Sequence, residues 1–67
     1  MRLLVNGVSL PVLQMGEDFL FVDQPVNHPP TTAHVVLRVD ESERAWPVRL
    51  PNGISANTNR VAIEPMA

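Results

Sequence analysis

The chain has no cysteine, no lysine and no tyrosine, and its aromatic residues are Phe19, Phe21 and Trp46 alone. Without cysteine there are no disulfides and no thiolate zinc sites, two of the staples that hold very small domains together. Two histidines, His28 and His34, are too few for a structural metal unless carboxylates join them. Positive charge is also short: five arginines, scattered along the chain, face seven carboxylates and leave a net charge of −2. Phosphate-backbone binding needs clustered positive charge and single-strand binding needs aromatic platforms, so nucleic acid is not an expected partner. No stretch approaches the roughly 20 apolar residues that span a bilayer, so no membrane partner is expected either. The apolar start Leu3-Leu4-Val5 stops at Asn6-Gly7 with no cleavage-site pattern after it. These absences together lead to the expectation of a soluble, cytoplasmic chain.

At 67 residues there is room for a single domain, residues 1–67. A domain of that size buries only about 60% of the surface its unfolded chain exposes. Self-association is the remaining compensation, and a homo-oligomer, with a dimer favoured, or contact with another protein is expected.

Seven prolines and three glycines punctuate the chain and disfavour long helices. The intervening segments are rich in Val, Leu and Ile and alternate with period two, which indicates strands. Arg2 to Val5 and Val8 to Val12 flank Asn6-Gly7, the preferred pair for a two-residue hairpin turn. That turn sets Val5 opposite Val8 and Leu3 opposite Leu10, giving one apolar face that includes Val12. Leu13 and Met15 fall on the other parity, so a bend or bulge after Pro11 is expected to redirect the strand. Phe19 to Val22 reads as a third strand, and Asp23 to Thr32, with three prolines, as a stiff extended loop.

A second hairpin is expected from Ala33 to Val39 and Arg44 to Leu50, around a four-residue loop Asp40 to Glu43. Its inward face carries Ala33, Val35, Leu37 and Val39 opposite Leu50, Val48, Trp46 and Arg44, so Trp46 is expected in the core. Its reverse face pairs His34 with Arg49, Val36 with Pro47 and Arg38 with Ala45. Pro47 donates no ladder bond, so on its far side the strand should be unpaired or bulged at that point. Ile54 to Asn59 reads as a polar loop, Arg60 to Ile63 as a short last strand, and Glu64 to Ala67 as a frayed tail. The expected architecture is an all-β, small antiparallel meander of five or six short strands closing as a barrel or two-sheet sandwich.

Catalytic motifs are approached but not completed. Gly53-Ile54-Ser55-Ala56-Asn57 has Asn where a nucleophile elbow needs Gly, both histidines precede Ser55, and no helix follows. Asp40-Glu41-Ser42 resembles the start of the Asp-x-Ser-x-x-Gly half of the signature of the cyclic-dinucleotide-binding PilZ family. Ala45 stands in place of its Gly, and no Arg-x-x-x-Arg precedes it. His28, His34 and Asp23 match no metal-ligand spacing. The acidic pairs Glu17–Asp18 and Glu41/Glu43 sit in turns where water screens them. No catalytic residue, cofactor or metal is therefore expected, and the chain reads as a non-catalytic interaction module.

The candidate interaction face is the reverse of the second hairpin: His34, Val36, Arg38, Pro47 and Arg49. An apolar centre within a basic rim suits a protein interface, where Arg is enriched. The competing expectation is an anion or small-molecule receptor. There Arg38, Arg49 and His34 supply charge, and the loop Asn27 to Thr32 forms a wall.

Overall fold

The computed structural model of the protein describes residues 1–66. Among them there is no helix. The elements are β1 (Arg2–Val5), β2 (Val8–Met15), β3 (Phe19–Val22), β4 (Thr31–Val39), β5 (Ser42–Leu50), β6 (Arg60–Ala62) and β7 (Glu64–Pro65). They form one antiparallel sheet in the order β6-β3-β2-β1-β4-β5-β7, curled into a half-barrel. The all-β class is as expected, but the strands number seven rather than five or six. The additional strand lies where the sequence suggested a frayed tail. Val48 and Arg49 lie at the edge of β5, in register with Pro65 and Glu64. Ala67, the end of that expected tail, lies outside the described residues.

The first hairpin follows local rules. Asn6 (φ 48°) and Gly7 (φ 81°) both occupy the left-handed region that a type I′ turn requires. The resulting register is Val5↔Val8 and Leu3↔Leu10. Leu3, Val5 and Leu10 are buried, each worth about 1.5–3 kcal/mol of apolar burial.

The second hairpin departs from expectation by two residues. Its loop is Asp40–Glu41, not Asp40 to Glu43, and Val39 pairs with Ser42. Asp40 takes φ 54°, a conformation Asp tolerates better than most residues, which permits the tighter turn. Because the slip is by two, every side chain keeps its expected face. Ala33, Val35, Val48 and Leu50 are buried inward, while Trp46, now opposite Val35, is only half-buried against that core.

A bulge in β2 produces the curl. Val8 to Pro11 pair with β1, whereas Val12 to Met15 face β3, with a register shift between Val12 and Gln14. The extra residue is Leu13, turned out and 65% exposed. Its insertion resets the parity, so Val12 opposite Val22 and Met15 opposite Leu20 both reach the core. The corner is stitched by Val12 N–H donating to the Met1 carbonyl and Asp23 N–H to the Pro11 carbonyl, both at 3.0 Å.

The chain is not one continuous meander. Strands β1 to β3 form a meander, and the β4–β5 hairpin then docks along the free edge of β1, with Arg2↔Val36, Leu3↔Val35 and Leu4↔His34. The end strands of the sheet, β6 and β7, are consecutive in sequence and separated by Ile63 alone. Ile63 is 3% exposed, and its N–H donates to the Asp18 carbonyl at 2.9 Å.

Two loops complete the core. His28 and Ile54 exchange backbone hydrogen bonds at 2.9 Å, and Asn27 Oδ1 accepts from Ala56 N–H at 2.8 Å. Ile54 is thereby buried, although it stands in a stretch read as polar loop. A lone apolar residue without periodic neighbours carries no strand signal. His28 Nδ1 lies 2.7 Å from the Pro29 carbonyl oxygen and Nε2 lies 2.8 Å from Asn6 Nδ2. A carbonyl only accepts, so Nδ1 bears the proton and Nε2 accepts from the Asn6 amide. His28 thus ties the Pro-rich loop to the first hairpin turn.

Candidate functional site

The five residues singled out from the sequence all lie on β4 and β5. In the observed register His34 faces Pro47, Val36 faces Ala45, Arg38 faces Glu43, and Arg49 faces Thr32. His34, Arg38, Pro47 and Arg49 are exposed on the outward side. Val36 is 5% exposed, which corrects its role as an open apolar centre. Arg2 of β1 sits directly beside it, as does Ala45 of β5. The docking of β4 on β1, not visible in either hairpin's own pattern, supplies that cover.

The structure also separates the two arginines. Thr32, the partner of Arg49, lies six residues along β4 from Arg38, or about 20 Å at strand spacing. One small ligand cannot be gripped by both. Each instead lines its own depression. At one end Arg49 joins Pro30, Thr31, Thr32 and Glu64 around an open hollow of about 640 Å³. Of the stretch Asn27 to Thr32, only Pro30 and the first two residues of β4 line it. At the other end Arg38 and Glu43 join Arg2, Ser9, Pro11 and Val36 around a depression of about 320 Å³. Arg2 and Ser9 were missed from the sequence because their meeting with Arg38 depends on the β1–β4 pairing.

A third feature is the free edge of β5. Strand β7 covers it only at Val48 and Arg49, and among the described residues no strand pairs with it from Ser42 to Pro47. Pro47, as expected, stands where this pairing stops. A two-residue turn closes on the hydrogen-bonded pair Val39–Ser42, so by alternation the backbone groups of Glu43 and Ala45 point away from β4 toward open solvent. Beside this edge, on the concave side of the hairpin, Val39 is 55% exposed and Leu37 and Trp46 are half-buried.

A fourth feature lies on the outer side of β3 and β6. The rings of Phe19 and Phe21 meet edge to face at 5.3 Å, and the Arg60 guanidinium sits 5.0 Å above Phe19. Such stacking occupies both rings and the cation within the protein itself. Among the described residues no group of three or more His, Asp or Glu side chains gathers, and no helix is long and apolar enough to cross a membrane.

In comparisons with known proteins, the chain matches no family model, no curated protein and no solved structure.

Proposed function

We propose that this chain is a non-catalytic interaction module that associates with a second copy of itself through the β4–β5 hairpin, as a dimer. The observation that carries this reading is the unpaired β5 edge from Ser42 to Pro47 beside the exposed Val39 and the half-buried Leu37 and Trp46. An open strand edge is a template for another strand, and monomeric proteins blunt theirs with charge, proline or cover. Here the only charges along the edge are Glu43 and Arg44, which cancel, so an identical edge is not repelled.

Area sets a second requirement. A standard interface buries about 800 Å² per partner, roughly a sixth of this chain's 4572 Å². Backbone pairing over six residues falls short of that, so the concave apolar face must join it. The reading includes closure of the half-barrel within each copy. β6 and β7 act as one strand kinked at Ile63, tying both ends of the sheet and leaving the Ser42–Pro47 edge as the one to be covered. The cysteine-free sequence suits a reducing cytoplasm.

Light scattering after size exclusion at two or more concentrations tests the proposal. A dimer is expected, and Ala45→Pro is expected to turn it into a folded monomer. That substitution removes an outward N–H, as Pro47 already does, without breaking a bond to β4. A wild-type monomer at all concentrations, or an Ala45→Pro protein that stays dimeric, overturns it. A monomer would turn the search toward a different protein at the same edge.

A further inference from the structure

We infer that the depression between Arg2 and Arg38 is a binding site for a small soluble phosphate monoester. Arg2, Val36 and Pro11 share one cross-strand row on the outer face of the sheet, with Arg2 between the other two. Arg38 follows two residues after Val36, which makes it the diagonal neighbour of Arg2, at about 7–8 Å. From adjacent strands, two guanidinium groups on stems of that length can reach a common point above the depression they line. A carboxylate is satisfied by one guanidinium fork. A phosphate monoester presents three terminal oxygens and accepts from two forks at once.

The remaining lining describes the body of the ligand. Val36 forms the floor and is 5% exposed, although His34 and Arg38 on either side of it on the same face are open. Arginine stems cover apolar surface in this way while their heads stay in water. Pro11 forms one apolar wall, and Ser9, two residues before it on the same face, ends the depression with a hydroxyl. The volume of about 320 Å³ is at the lower end of the range for small-molecule sites. It fits a phosphate group with a short apolar body.

Glu43 sets the limit of the site. It stands directly opposite Arg38 and lines the same depression. Its carboxylate opposes the ligand's charge, so affinity is modest and the sign of its effect is fixed. The net charge of −2 on the chain disfavours extended polyanions such as nucleic acid or an acidic bilayer, which selects a small soluble ligand.

The test is a titration of the isotopically labelled protein with phenyl phosphate, followed by amide and arginine side-chain NMR signals. Saturable shifts are expected at Arg2, Arg38, Ser9 and Val36, with inorganic phosphate binding more weakly for lack of an apolar body. Arg2→Gln and Arg38→Gln each weaken binding about ten-fold or more, the loss of one charge-assisted bond, whereas Glu43→Gln tightens it several-fold. All three positions are exposed, and retained amide spectra confirm that the variants fold. Four outcomes overturn the inference. They are shifts that never saturate, equal affinity in Arg38→Gln, tighter binding of inorganic phosphate than of phenyl phosphate, and binding to phosphatidic-acid vesicles without any response to phenyl phosphate. The subunit number measured by light scattering is independent of all of them.

Discussion

Gly53 holds the tightest approach between the two long loops. Its φ of 65° lies in the left-handed region, and a Cβ there would collide with the His28 carbonyl oxygen. It would also come within 2.7 Å of the Pro29 carbonyl carbon and 2.9 Å of the Pro30 nitrogen. All three are backbone atoms with no side-chain freedom to yield. Gly7 has φ 81° but nothing within 4 Å of its missing Cβ. Urea unfolding of the two alanine variants therefore separates conformation from collision. Gly7→Ala is expected to cost about 1–2 kcal/mol, the left-handed penalty alone. Gly53→Ala is expected to cost at least about 1 kcal/mol more, because the His28–Ile54 bridge must open. Equal losses would mean that the loops do not meet as described. Pro51-Asn52-Gly53 was legible as a turn, since Asn-Gly is local chemistry. That His28 would be its neighbour was not, because nothing within 25 residues of sequence encodes which loop lies over which.

At the scale of one element, β2 shows how a single inserted residue directs a whole sheet. Plain alternation puts Leu13 and Met15 on the same side, yet Leu13 is 65% exposed and Met15 packs on the core. Leu13→Ser is accordingly expected to change stability by no more than about 0.5 kcal/mol, as exposed substitutions do. Met15→Ser is expected to cost about 2 kcal/mol or more, from lost burial and a polar group turned inward. Chemical denaturation of the pair reads the bulge directly, and similar costs for both variants would argue for an unbroken strand. The sequence did carry this feature, because apolar parity breaks after Pro11 and a bulge is the economical repair. The length of the second hairpin loop was less legible. Four-residue and two-residue loops place the same side chains on the same faces, so apolar pattern cannot tell them apart. Only Asp40 in the left-handed region decides it. That slip moves Arg38 from Ala45 to Glu43, and with it the charge of the outer depression.

For the whole molecule, Ile63 is the residue on which both ends of the sheet depend. It separates β6, paired to β3, from β7, paired to β5, and it is 3% exposed. Ile63→Ala is expected to cost about 2–4 kcal/mol, a large share of the roughly 3–10 kcal/mol available to a chain this short. Hydrogen exchange should then quicken at Leu20 in β3 and Arg49 in β5 together, although they belong to strands four places apart in the sheet. Loss of protection in β3 alone would mean that β7 contributes nothing to stability.

Local sequence settled the all-β class, the inward faces of both hairpins, the Asn-Gly turn and the end of edge pairing on β5 at Pro47. Each of these follows from steric preference or period-two alternation within a dozen residues. Tertiary structure decided that β4 pairs with β1, that Arg2 lies beside Arg38 while Arg49 does not, that Ile54 enters the core, and that Glu64 and Pro65 form a strand. Strand pairing runs through backbone N–H and C=O groups that every residue except proline shares. The side chains specify which face is buried, but the choice of neighbour is made only when all the edges compete for one another.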